Sequence, residues 1–298
     1  MPEILAFLKR DIKEKREYIN MMMDRFLPRK DDYPKDIHKA IRHTLFAGGK
    51  RIRPYLTILT YQILKKKMND DVIKAGVALE FLHTYTLIHD DLPEIDNDEF
   101  RRGKKACHIV FGSDIALLAG DALLIEAFNV ITTIEAPSDL RMKMINDLAI
   151  FCGERGLIAG QMQDIISEKT TISKKSIDFI NLNKTAKLIQ LALRFGAYLG
   201  EATPAQFAKF DELGLKIGLS FQIVDDILDI EGNTHDLGKT VGKDQKAYKM
   251  TYPLVHGLEK SKQIAEKYTN EAIKIIDSFG DKALLLRDLT IYLLSRNY

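Results

Sequence analysis

The sequence is poor in the features that would assign it to a special class. Two cysteines, Cys107 and Cys152, stand far apart in 298 residues, too few for a disulfide framework and too distant in sequence for a metal-ligand pair. They read as reduced thiols of a cytosolic protein. Prolines number eight, with none between Pro137 and Pro204 or between Pro204 and Pro253, which leaves long stretches free of the residue that a helix interior cannot accommodate. No apolar run reaches the roughly 18–20 uninterrupted positions needed to cross a bilayer; the best candidate, Ile115 to Ile131, is broken by Asp121 and Glu126. The first ten residues become charged too soon for the apolar region of a signal peptide, so the expectation is a soluble, cytoplasmic protein. An excess of one charge is also missing, because 44 Lys+Arg face 42 Asp+Glu. That balance argues against a protein that coats nucleic acid, and it makes any phosphate binding local.

What is present is helical periodicity. Ile73, Ala75, Val77, Ala78, Phe81, Leu82, Leu87 and Ile88 recur mostly at spacings of three and four, and Leu213 to Leu228 settles into the same pattern. Breaks are predicted at Pro28 to Pro34, Gly48-Gly49, Met68 to Asp71, Pro93 to Lys105, Ala136 to Asp139, Ser167 to Ser173, Gly200 to Pro204, Gly232 to Lys246 and Phe279 to Lys282. No alternating strand pattern with hairpin chemistry and no Ser/Gly-rich linker is evident. The fold class expected is all-α, in one domain over residues 1–298.

Two acidic clusters sit at or in apolar helices. The first, Asp90-Asp91-Leu92-Pro93-Glu94-Ile95-Asp96, follows an apolar helix, and Pro93 disfavours helical geometry at Leu92, so the chain should turn Asp96 back toward Asp90. His83, seven residues before Asp90, shares its face. The second cluster places Gln222, Asp225, Asp226 and Asp229 on one stripe of an otherwise apolar helix. Carboxylates so placed repel one another and lose solvation unless a cation joins them. Hard oxygen donors select Mg2+ or Mn2+, which need only one or two carboxylates per ion when substrate phosphate and water complete the shell. Neither stretch has the loop of an EF-hand.

Cationic donors for phosphate occur at the helix breaks. Lys50 and Arg53 follow Gly48-Gly49 and would share a face if helical; Arg101 and Arg102 follow the first acidic cluster, and Lys184-Thr185 and the loop around Lys239 come later. Guanidinium groups match phosphate oxygens bidentately, whereas lysine acts as a point charge. Gly238-Lys239-Thr240 lacks the earlier glycine and the preceding strand of a P-loop.

The runs GGKRIRP at 48–54, HTYTLIHDDLPEIDNDEFRRGK at 83–104, NKTAKLI at 183–189, GLSFQIVDDILDIEG at 218–232 and DLGKTVGKDQKAYKMTYP at 236–253 resemble the five signature regions of the trans-prenyl diphosphate synthases. The likeness is closest to the bacterial farnesyl/geranylgeranyl type and extends in order and spacing over nearly the whole chain. It implies an all-α bundle around a deep cavity and an Mg2+-dependent head-to-tail condensation of isopentenyl diphosphate with an allylic diphosphate, usually in a homodimer. Residue by residue, it implies that Asp90 and Asp96 hold Mg2+ from one side and Asp225 from the other, with Asp91, Asp226 and Asp229 as supporting acids. Arg101, Lys184 and Lys239 would grip the allylic diphosphate; Lys50, Arg53, His83 and Arg102 would hold isopentenyl diphosphate. Thr185 and Gln222 would point oxygens at the reacting carbons.

Family comparison puts control of product length at Tyr85 and Thr86, five and four residues before Asp90. An aromatic ring at Tyr85 resembles the stop that limits the chain to fifteen carbons. Ideal helix geometry puts Thr86 about 40° from the Asp90 direction and Tyr85 about 140° away, so the ring must reach the cavity from the flank. Farnesyl diphosphate is the favoured product and geranylgeranyl diphosphate the alternative. A non-catalytic subunit of a heteromeric synthase is disfavoured by the intact acidic and basic sets. A terpene cyclase is disfavoured because Asp225 to Asp229 does not resemble the second metal motif of those enzymes.

Overall fold

The computed structural model describes residues 2–65, 67–167, 173–231 and 251–294. Within them the chain is all-α apart from one two-residue hairpin. Helices α1 (Pro2–Phe26), α2 (Lys35–Leu45), α3 (Ile52–Leu64) and α4 (Asp70–Asp90) lead into β1 (Phe100–Arg101) and β2 (Lys104–Lys105). Then come α5 (Cys107–Phe111), α6 (Ser113–Thr132), α7 (Ser138–Cys152), α8 (Leu157–Ser167) and α9 (Lys174–Ile180). A π-helical turn, Asn181–Ala186, joins α9 to α10 (Lys187–Leu199), and α11 (Pro204–Glu231), α12 (Tyr252–His256), α13 (Leu258–Asp277) and α14 (Leu284–Leu294) complete the order.

Helix α4 is the axis of the bundle. Asn69 caps it by accepting from the Val72 amide at 3.1 Å, and Asp70 and Asp71 add negative charge at the positive end of the helix dipole. Its side chains from Val72 to Leu82 are buried almost without interruption, because α3, α6 and α10 pack around it. Helix α10 packs in turn against α11, and α11 against α13. Leu213 and Ile217 of α11 belong to the large core, whereas Ile223, Val224, Ile227 and Leu228 belong to a second apolar cluster with Ile177, Ile180 and Tyr252. The same helix thus carries the second acidic cluster out of one core and into the other.

Two departures from the sequence reading have simple causes. The hairpin within 100–105 pairs Phe100 with Lys105 and Arg101 with Lys104, and it closes because Arg102 (φ 54°) and Gly103 (φ 76°) both adopt the left-handed conformation that a two-residue turn requires. Helix α6 is long and apolar enough by composition to cross a membrane. Asp121 and Glu126 interrupt the run without removing that property. Ala116, Ala119, Gly120, Leu123 and Ala127 bury one side of α6, which packs closely on α4, while Leu117, Leu118 and Ile125 stand exposed on the other.

Candidate active site

The first acidic cluster closes as Pro93 dictates. Helix α4 ends at Asp90, and the Asp96 amide donates to the Asp90 carbonyl at 2.8 Å, folding the acidic loop back on the helix end. Asp91 is buried and receives Arg101 through Nε at 2.9 Å and through Nη2; the same Nη2 reaches Asp98 Oδ2 at 3.2 Å. Burial works to lower the Arg101 pKa, but the Asp91 ion pair, with Asp90 and Asp96 beyond it, raises it. The hairpin turn holds Arg101 toward the acids and sends Arg102 the other way, where its Nη1 donates to the Gly48 carbonyl at 2.7 Å.

Arg102 enters a second, basic group. Gly48 and Gly49 run at φ 113° and 119°, and a Cβ on Gly49 would lie 2.9 Å from the Arg102 guanidinium carbon. Glycine is therefore required at 49 for both backbone shape and close approach. Lys50 and Arg53 do not share a helical face: α3 begins at Ile52 and Arg51 is left-handed at φ 52°. Lys50 lies 5.7 Å from the Tyr292 ring centroid. Arg53 is enclosed, its Nε is buried with no hydrogen-bond partner, and burial pushes its pKa down to about 10 against the pull of Glu80. A half-buried guanidinium with an unpartnered, buried Nε suits an anion. His83 faces Arg53, Arg102, Arg101 and Arg51; burial first, and these charges next, hold it well below the ordinary 6.5, so its ring is neutral.

The π turn Asn181–Ala186 joins the two halves. Lys184 Nζ donates to Asp164 Oδ2 on α8 at 2.6 Å; burial opposes its charge, but Asp164, Asp90 and Asp96 raise its pKa. Its neighbour Thr185 donates instead to Gln222 Oε1 on α11 at 2.7 Å. The turn is wedged between those helices at glycines: a Cβ on Gly160 would lie 2.4 Å from the Lys184 nitrogen, and one on Gly218 would lie 2.5 Å from the Ala186 Cα. Single π turns inside helices commonly mark functional positions. Here the turn presents consecutive side chains to two different helices, Lys184 to Asp164 on α8 and Thr185 to Gln222 on α11.

Asp225 lies on α11 three residues beyond Gln222, and Lys239 lies outside the described residues. The donors around the acidic loop and along α11 are carboxylate oxygens, the hard ligands that Mg2+ or Mn2+ prefers. Among the described residues no three acidic, histidine or cysteine side chains converge into a ready-made cage. Such a donor set fits Mg2+ with water and substrate oxygens completing its shell.

Two residues of this region have no counterpart in the sequence reading. Glu80, 1% exposed, forms an ion pair with Arg51 Nη1 at 2.6 Å and lies 4.0 Å from Arg102 Nη2. Its signal was a lone acid inside the apolar run Ala75 to Leu82. Asp164, the partner of Lys184, is a buried acid on α8, an amphipathic helix whose glutamines gave no comparable contrast.

Comparison with known proteins adds an independent finding. The family model described as Polyprenyl synthetase matches residues 34–283. The chain is 38% identical to a farnesyl diphosphate synthase of Micrococcus luteus, covering 97% of this chain and 99% of the relative. It is 40% identical to a geranylgeranyl diphosphate synthase of Cyanophora paradoxa, covering 95% of each. A solved structure of a Helicobacter pylori geranyltransferase complexed with magnesium and isoprenyl diphosphate superposes with a TM-score of 0.83 at 29% identity over 96% of both chains.

Proposed function

The chain belongs to the polyprenyl synthetase family, and from that premise we propose that it condenses isopentenyl diphosphate head-to-tail with dimethylallyl or geranyl diphosphate to give farnesyl diphosphate. The observation that carries this reading is the π turn, where Lys184, paired with Asp164, feels the charges of Asp90 and Asp96 and Thr185 hydrogen-bonds Gln222 on α11. A leaving diphosphate and the carbon it leaves would lie between them.

In this reading Arg101, Lys184 and Lys239 grip the allylic diphosphate, and Lys50, Arg53, His83 and Arg102 hold isopentenyl diphosphate. Asp90, Asp96 and Asp225 hold Mg2+, which when bound offsets the charge of the leaving diphosphate. The cationic side chains add fixed positive potential where that negative charge develops, so the allylic C–O bond breaks with its electron pair on the diphosphate. The alkene of isopentenyl diphosphate then bonds to the allylic carbon, and an oxygen of the departed diphosphate takes the proton whose loss restores a double bond. Neutral His83 donates an N–H to a phosphate oxygen without adding charge. An apolar cavity of the kind the family fold implies would exclude the water that otherwise captures the cation.

The fifteen-carbon product is supported by Tyr85. Its ring is 6% exposed and meets His89 edge-on at 5.2 Å, while His89 Nε2 lies 3.0 Å from the Leu117 carbonyl on α6. The ring is therefore a bulky group fixed in the α4–α6 contact. The alternative, a twenty-carbon product, draws on relatives whose names divide between the two activities. We read residues 1–298 as one domain, supported by α11 serving both apolar clusters. A homodimer is supported by the exposed apolar stripe of α6, where Leu118 is 57% and Ile125 68% exposed. A cytoplasmic location fits two buried free cysteines. Incubation with labelled isopentenyl diphosphate and, separately, dimethylallyl or geranyl diphosphate in the presence of Mg2+ tests the reading. A fifteen-carbon product is expected; a twenty-carbon product overturns the farnesyl assignment, and absence of turnover overturns the catalytic one in favour of a non-catalytic subunit.

A further inference from the structure

A directional chain of hydrogen bonds runs from α12 to the π turn. The Tyr252 amide donates to Asp226 Oδ2 at 2.9 Å, and the Tyr252 hydroxyl anchors the same segment by donating to Asp178 Oδ1 at 2.7 Å. The other oxygen of the first carboxylate, Asp226 Oδ1, accepts from Gln222 Nε2 at 2.8 Å, one helical turn away. Gln222 Oε1 in turn accepts from the Thr185 hydroxyl at 2.7 Å.

The polarity of the chain is not a matter of choice. A backbone N–H can only donate and a carboxylate can only accept, so Asp226 must receive the NH2 end of the Gln222 amide. The carbonyl end then faces Thr185 and takes its single hydroxyl proton. What Thr185 has left to offer on its open side is lone-pair density. Positive charge developing on a nearby carbon is stabilised by an oxygen lone pair and opposed by an O–H dipole pointed at it.

We infer that Asp226 is a positioning residue: through Gln222 it turns the Thr185 hydroxyl proton away from the reacting carbons, and it couples that orientation to the backbone at Tyr252. The inference rests on the proposed prenyl condensation. It gives Asp226 a task other than ligating metal, although Asp225 beside it is read as a ligand.

The test is a polarity swap. In Asp226→Asn the new amide can donate, which frees Gln222 to turn over and release the Thr185 proton. In Gln222→Glu two carboxylates confront each other. In the double variant the new amide at position 226 donates to the new carboxylate at position 222, and that carboxylate still accepts from Thr185. The amide carbonyl at 226 still accepts from the Tyr252 backbone, so the original direction is restored. Each single variant is expected to lose about tenfold or more in kcat, the scale of a lost hydrogen bond to a charged group. KM for both substrates and the half-saturating Mg2+ concentration should stay within about twofold, and the double variant should recover most of the loss. Thr185→Val, which removes the hydroxyl at the end of the chain, should lose kcat as Asp226→Asn does. An unchanged kcat in Asp226→Asn overturns the inference, as does a double variant no better than the singles with a raised Mg2+ requirement, which would make Asp226 a ligand. Exchange of the Gln222 side-chain amide protons, followed by NMR without substrate, reads the chain whether or not the protein turns over. Protection in wild type that is lost in Asp226→Asn is expected, and equal exchange in the two refutes the inference. A wild-type enzyme inactive on prenyl diphosphates would refute the functional reading alone.

Discussion

Replacing Glu80 with leucine removes one partner of the most deeply buried ion pair among the described residues. The Arg51 and Glu80 side chains are 1% and 2% exposed and 2.6 Å apart. Arg51 would keep its bonds to the Leu45 carbonyl at 2.6 Å and to Asn20 Oδ1 at 3.0 Å, but both acceptors are neutral and neither offsets a full charge away from water. Breaking one side of such a pair costs about 3–5 kcal/mol. At roughly 2 °C per kcal/mol for a chain of this length, the melting temperature should fall by about 6–10 °C. Thermal unfolding followed by circular dichroism measures it directly. The double variant Arg51→Met with Glu80→Leu should lie above Glu80→Leu, because it removes the stranded charge; the cycle should give a coupling of about 2 kcal/mol or more. A loss below about 1 kcal/mol in Glu80→Leu, or a double variant no more stable than that single one, would refute the assignment of Glu80 as the counter-charge of this basic group.

The legibility of the fold and site divides along a physical line. Features governed by short-range rules could be read from the sequence. Pro93 announced the end of α4 and the return of Asp96, now seen as the 2.8 Å bond to the Asp90 carbonyl. The spacing of Gln222 and Asp226 announced a shared helical face, now seen as their 2.8 Å contact. Features that depend on a second segment could not be read. The Lys50–Arg53 expectation assumed a helix already running at Lys50, whereas Arg51 is held left-handed by its bonds to Leu45, Asn20 and Glu80, which lie on three other helices. The partnership of Lys184 with Asp164 joins residues 20 positions apart. It depends on the π turn, whose register shift has no periodicity signal of its own. The break between α7 and α8 was marked by Gly153 and Gly156 but hidden by apolar residues on both sides, which continue a helical pattern across it.

Three further outcomes follow from the same geometry. Tyr85→Ala should shift the product toward twenty carbons or more, as chromatography of the labelled products would show; an unchanged chain length would make Tyr85 ordinary core. Leu118→Glu combined with Ile125→Glu should convert a dimer to a monomer in sedimentation experiments, and a wild-type chain already monomeric would remove α6 as an interface. The last concerns pH. His83 is held well below 6.5 by burial and by Arg53, Arg102, Arg101 and Arg51, so near neutral pH it is uncharged in the folded and in most unfolded molecules. As pH falls below about 6.5 the unfolded chain binds a proton that the folded chain refuses, and stability falls by up to about 1.4 kcal/mol per pH unit from this group. The loss continues until the pH reaches the depressed folded value and then levels. Carboxylates do not mimic it between pH 7 and 5.5, because their ordinary range lies lower. Denaturant unfolding at those two pH values should therefore show a decline in wild type that His83→Gln largely removes, since glutamine keeps a polar side chain without a titrating ring. A decline of equal size in the variant would mean that the arginine cluster does not hold the imidazole neutral.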